Sequence, residues 1–332
     1  MKVLGIGDID LDIVCRIDEF PQEGTKISPR KTITSLGGPV PIALILLSRL
    51  GVDCMFYGSI GDDDNGQILK KRLENEGVKV IQNPCKKTKV HTVLVNSQNG
   101  SRTIIKDGAK NPKIKSVSKR LLNQCDLVII DRHEPNAYAS VLQNKKKATK
   151  IIIDPSTEVS DKTLLMLKTA DFPIVPIEVL DKISRHENRM VALEHLFKIT
   201  AKPVIVTAGH MGSLIYDGSE VSLISSFKVD VVDTLGAGDI YRGAFAYGVL
   251  KNWSIQQSVE FSNLVSGLHC TKLGNHEAIP SRREIKEFLL KAQLNSFSLD
   301  SVGIKVNTSS KKAAKVSSEV GVSSLNYNIS SL

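Results

Sequence analysis

Residues 233–239 read Asp-Thr-Leu-Gly-Ala-Gly-Asp, set between the valines of VDVV and the amphipathic run IYRGAFAYGVL. Glycines at such a junction let backbone approach a ligand closely, or take up angles that a Cβ forbids. A helix that starts there aims its first N–H groups and the positive end of its dipole at whatever sits in front of it. The N–H groups of Gly236, Ala237 and Gly238 are therefore placed to hold a phosphoryl group in transfer, while Asp239 accepts the proton of an attacking hydroxyl. Asp233 and the Leu235 carbonyl, one turn earlier, offer oxygens to a monovalent cation that would support the loop. The competing reading of Asp239 is a plain helix cap. Two other phosphate motifs are excluded. The stretch Gly61 to Gly66 continues with Gln67 where a P-loop needs Lys, and GIGDID after Val3 lacks the third glycine of a dinucleotide fingerprint.

The elements that must position this loop alternate along the chain. VLGIG, DCMFYGSI, DLVIID, KIIIDP, DFPIVP and PVIVTAG are short, β-branched and bounded by Gly, Pro or Asp. Helix-like stretches follow them, at Ile42 to Leu50, Gly66 to Glu76, Asn136 to Gln143, Thr163 to Thr169 and Met190 to Thr200. This alternation predicts an α/β fold with a central, mostly parallel sheet and helices on both faces, its ligands beyond the carboxyl ends of the strands. Two segments, about 13–35 and 89–107, read instead as hairpins, the second turning at Asn99-Gly100. They predict a small inserted β flap, or lid. Residues 1–292 form one domain on this reading. Residues 293–332 are Ser-rich, without sustained periodicity, and read as a disordered tail, with a weakly docking strand as the alternative.

Composition narrows the class. The 332 residues are 41% hydrophobic, enough for a sizeable core. The longest apolar run, Pro39 to Leu47, is far below the roughly 20 residues of a membrane span. Five scattered cysteines without C-x-x-C spacing suggest neither disulfides nor a zinc site and fit a cytoplasmic protein. The net charge of +9 is spread over distant lysine clusters, with few aromatics and no nucleic-acid module. No nucleic-acid or membrane partner is expected.

The stretch FKVDVVDTLGAGDIYRGAFAYGVL resembles the C-terminal signature of the ribokinase-like, or phosphofructokinase B-type, carbohydrate kinases. SLGGPVPIALILLSRLGVDCMFYGSIGDDDNGQILKKRLENEGV independently resembles their N-terminal glycine-pair signature, and GIGDIDLDIV, TAGHMG and CTKLGNHEAIP fall in the matching order. The resemblance covers roughly residues 1 to 290. It implies a ribokinase-like fold and a phosphotransferase acting on a sugar with ATP and Mg²⁺, and with K⁺ as the loop-supporting cation. By that resemblance Asp239 is the catalytic base, and Gly236, Ala237 and Gly238 are the anion hole. Asp10, Asp12, Gly37 and Gly38 hold the sugar, and Arg102, Thr207, Gly209, Gly212 and Asn263 lie beside the nucleotide.

The sequence also departs from the family pattern. Ile42 stands where most members place a sugar-binding Asn, and Ile177 and Leu180 replace the N-x-x-E motif of the magnesium shell. Such departures resemble the ketohexokinase and sulfofructose kinase subgroup. Arg132, after the strand LVIID, is a fork-shaped cation able to read a phosphate, sulfonate or carboxylate on the sugar, or else a surface partner of Asp131 or Glu134. A nucleoside kinase and a sugar sensor without turnover remain alternatives. The flap's strand edges predict a homodimer.

Overall fold

A computed structural model describes residues 1–184 and 188–295. The expected tail lies, beyond Asn295, outside the described residues. Two compact units are present, Met1–Ile279 and one that starts at Pro280 and includes a helix over Arg282–Asn295 (α10).

The first unit is built on a five-stranded parallel sheet. Its order is β5 (Lys79–Cys85), β4 (Asp53–Gly61), β1 (Lys2–Ile6), β8 (Leu127–Asp131) and β9 (Lys150–Asp154). Strands β1, β8 and β9 are buried on both faces, which is why they read as continuous apolar runs. Leu4, Ile6, Val128, Ile130, Ile151 and Ile153 enter one large core cluster. That cluster also takes residues from α3 (Lys119–Leu122), α4 (Pro135–Asn144), α5 (Asp161–Thr169), α6 (Ile177–Ile183) and α7 (Arg189–Thr200). On the other face Gly5 leaves room for Leu44 and Val40 of α1 (Pro39–Arg49). Helix α1 packs on α8 (Ala237–Leu250), and α8 on α9 (Ile255–His269). Helix α2 (Asp64–Asn75) rests on β4 and β5 and is capped by Asp63, whose side chain accepts from Gly66 N at 2.9 Å.

A second sheet has the order β10 (Ile174–Pro176), β11 (Val204–Thr207), β12 (Ser213–Tyr216) and β13 (Val221–Ile224). A bridge between Ile152 and Phe172 ties the segment before β10 to β9. Strand β11 passes through a short 3-10 turn at Gly209–Met211 into antiparallel β12 and β13, where strict strand-then-helix alternation predicts a helix.

The two expected hairpins are present, β2 (Asp10–Ile17) with β3 (Lys31–Gly37) and β6 (Lys89–Asn96) with β7 (Arg102–Ile105). They form one sheet, because β2 and β6 pair in parallel with Asp12 opposite His91. The flap is thus a four-stranded mixed sheet and not a purely antiparallel one. Gly37 falls inside β3, opposite Asp10.

Candidate active site

The DTLGAGD segment leads from the stretch after β13 into the first turn of α8. Gly236 caps α8 at φ 77°, a left-handed angle that suits glycine. A Cβ there would also overlap Asn275 Oδ1. Thr234 N and Oγ1 both donate to Gly100 O, at 3.1 and 3.0 Å, so the Asn99-Gly100 turn of the flap is docked on the loop. Arg102 Nη1 donates to Thr234 Oγ1 at 3.3 Å, which places its guanidinium beside the start of α8. The Ala237 N–H is turned back on Thr234 O at 3.3 Å.

Asp239 lies in the first turn of α8 with its side chain 21% exposed. Burial, then the negative charges of Asp154 and Asp12, push its carboxyl up to about 7, against the pull of Arg242 and Arg102. Arg242, three residues on and 7% exposed, binds Asp154 Oδ1 through Nη2 at 2.8 Å. Its Nη1 donates to Gly238 O at 3.1 Å and sits 3.7 Å from Asp239 Oδ1.

Facing this loop is a second group of carboxylates. Asp10 and Asp12, both buried, share one face of β2. Burial and the charge of Asp8 raise Asp10 to about 7, and burial and the charge of Asp10 raise Asp12 to about 8. Gly37 lies directly across, where any Cβ would overlap Asp10 Oδ1 and Asp12 Oδ2. Gly38, at φ 105°, starts α1 against the Asp8 carbonyl. His91 Nδ1 stands 3.6 Å from Asp10 and 3.7 Å from Asp12. Among the described residues these three also form a group able to take a metal ion, with one ligand atom each within 4.8 Å. Asp8 completes the cluster: it binds Lys89 Nζ at 2.7 Å, and its own N–H donates to Asp131 at 2.7 Å. Asn275 hydrogen-bonds Asp12 from the segment after α9, which connects the Asp10–Asp12 carboxylates to the Gly236 cap.

The remaining sequence candidates are more dispersed. Thr207 ends β11, Gly209 and Gly212 follow it, and Gly212, at φ 102°, admits no Cβ because Ile224 O lies against it. Asn263 ties that corner together, accepting from Ser213 Oγ at 2.7 Å and donating to Ile224 O at 2.9 Å. Asp233 accepts from Leu235 N and Gly274 N at 2.8 and 2.9 Å, and Leu235 O bonds His269 Nε2 at 2.7 Å. Arg132 pairs with Glu158 at 3.1 Å, not with Asp131 or Glu134, and its N–H donates to Asp154 O at 3.1 Å. Ile42 and Leu180 are fully buried and Ile177 packs against the main core. None of the three can hydrogen-bond a ligand through its side chain.

Sequence reading missed Arg242, Asp154, Lys89 and Asn275. Arg242 had a signal, since i and i+3 share a helix face with Asp239. Asp154 ends a buried strand, which is where ligands meet such sheets. Lys89 had none, because its partner depends on the β2–β6 pairing.

Comparison with known proteins identifies the family. The chain is 28% identical over 309 residues to the ribokinase of Lactococcus lactis, covering 89% of this chain and 99% of that one. It is 26% identical over 299 residues to the ATP-dependent ribose-1-phosphate kinase of Halopiger xanaduensis, covering 87% and 98%. The structure of Arabidopsis thaliana ribokinase complexed with ribose and ATP superposes with a TM-score of 0.70 at 22% identity, over 86% of this chain and 98% of that one. The family model for pfkB carbohydrate kinases matches residues 2–282, and with both glycine signatures and the lid in place the chain belongs to that family of sugar kinases.

Proposed function

We propose that this carbohydrate kinase transfers the γ-phosphoryl group of ATP to a hydroxyl of a small sugar, sugar phosphate or sugar acid, with Asp239 as general base. The observation that carries the reading is the meeting of two carboxylate groups beyond the strand ends. Asp239 sits at the start of α8, and the Asp10–Asp12 pair sits on a lid strand close enough for Asp12 to act on its charge.

Asp10 and Asp12 grip sugar hydroxyls, with Gly37 and Gly38 letting backbone come close. A base near 7 is half-ionised at neutral pH, where proton acceptance is efficient. The N–H groups of Gly236 and Gly238, together with Arg102, neutralise charge on the group in flight, while the Ala237 N–H, turned on Thr234 O, joins them only by exchanging that bond. Bound Mg²⁺ would supply charge neutralisation at the phosphates and would be held mainly by phosphate oxygens and water, since Leu180 lies in the core and Ile177 packs against it. Thr207, Gly209, Gly212 and Asn263 line the nucleotide side. The names of the relatives make free and phosphorylated ribose the first acceptors to try. Arg132, already paired to Glu158, reads the anionic group of a substrate that carries one.

The test is ADP release with Mg-ATP across ribose, deoxyribose, ribose 1-phosphate, ketoses and sugar acids, for wild type beside Asp239→Asn. Turnover of one sugar that falls about 10²-fold or more in the variant supports the reading. Turnover that survives in Asp239→Asn would sink it.

Two finer points belong to the same proposal. A monovalent cation at Asp233 and the Leu235 carbonyl has rivals in the N–H groups already bonded there. Rates that rise at least twofold in K⁺ over tetramethylammonium support it, and equal rates remove it. A homodimer through the flap would cover Ile104 and Ile105 of β7, which are 36% and 59% exposed. A monomer mass by light scattering rules it out.

A further inference from the structure

We infer that Arg242 is a positioning residue for Asp239: clamped by Asp154, its guanidinium fixes the first turn of α8 and holds the carboxylate in its proton-accepting form. This rests on the reading of Asp239 as the general base. A guanidinium that is 7% exposed is costly unless paired, and Asp154, 6% exposed, satisfies one arm at 2.8 Å. If the pair were only a core brace, the second arm would have no reason to point at the site. Instead Nη1 is held on Gly238 O at 3.1 Å and stands 3.7 Å from Asp239 Oδ1. The fork therefore joins the end of β9 to the catalytic turn of α8 and places a fixed positive charge beside the base.

The charges facing Asp239 from each side show why one is needed. Asp154 faces it from β9, and Asp12 and Asp10 from β2. Arg102 faces it from β7 and Arg242 from its own helix. Without Arg242, three carboxylates would oppose a single, exposed Arg102. Asp239 would then keep its proton at neutral pH, and the hydroxyl would lose its acceptor.

The experiment is kcat and KM from pH 5.5 to 9 for wild type, Arg242→Met, Arg242→Lys, Asp154→Asn and Asp239→Asn, with thermal melts to check folding. In Arg242→Met the acid limb of kcat moves up by about one pH unit or more. The rate at pH 6.5 falls about tenfold or more and recovers in part by pH 9, with both KM values within about threefold. Arg242→Lys keeps the limb near the wild-type position. Asp154→Asn moves it down, because one repelling carboxylate is gone, yet lowers kcat through the loosened arm. An Arg242→Met limb that stays put, whether kcat is unchanged or uniformly reduced, overturns the inference and leaves Arg242 a brace. If Arg242→Met does not fold, an unmoved limb in Asp154→Asn overturns it equally. The base itself is judged separately: only an active Asp239→Asn speaks against it.

Discussion

Asp239, Asp10 and Asp12 are carboxyl groups kept close to neutrality by burial and by one another, raised to about 7, 7 and 8. A carboxyl whose folded value is raised contributes stability that is complete below its unfolded value of about 3.9 and is lost as pH climbs through the folded one. Asp131, pushed up to about 8 by burial and Asp8, acts in the same sense. His133 and His269, both depressed to about 4 by burial, act oppositely, but only below their ordinary value of about 6.5. The melting temperature of the unliganded protein should therefore fall between about pH 6.5 and 8.5. The decline should be shallower in Asp10→Asn, as calorimetry over that range would measure. Gly37→Ala drives a methyl group into the Asp10 and Asp12 carboxylates, and should raise KM for the sugar about tenfold or more while leaving KM for ATP within twofold. The acid and its glycines were legible because their chemistry lies in seven consecutive residues. Arg242 was not, since its meaning depends on Asp154, on a distant strand.

At the level of elements, helix α8 carries the proposed base and is almost wholly buried, so its packing decides whether that residue is held still. Gly243 lets it close on α1: a Cβ would come within 2.9 Å of Ala43 O and 3.0 Å of Ala43 Cα. Gly243→Val should cost about 1–3 kcal/mol as overpacking between two helices. Chemical denaturation would measure that loss, with the pH profile of the surviving activity unchanged. Six strands and five helices could be read from sequence because burial on both faces makes strands uniformly apolar and helices periodic. Strand β5, with only partial burial, lacked that signal. Strands β12 and β13 were missed because a 3-10 turn replaces the expected helix after β11. The parallel pairing of β2 with β6 joins segments far apart in the chain, which no local pattern encodes.

At the scale of the whole molecule, the family match ends at residue 282 and helix α10 ends at Asn295. Deleting residues 296–332 should leave kcat and both KM values within about twofold of the full chain, and a larger loss would assign that segment a part in the chemistry. The four-stranded flap has its own consequence for turnover. Asp10 and Asp12 stand on β2, within the flap sheet, while Asp239 stands on a helix of the main body. On the proposed reading, recognition and reaction are thus mounted on separate parts. On the same reading, lifting the flap would withdraw the residues that grip the sugar from the base in the same stroke. Letting go of product and exposing the centre to water would then be one event, and the proposed chemistry would need a closed grip.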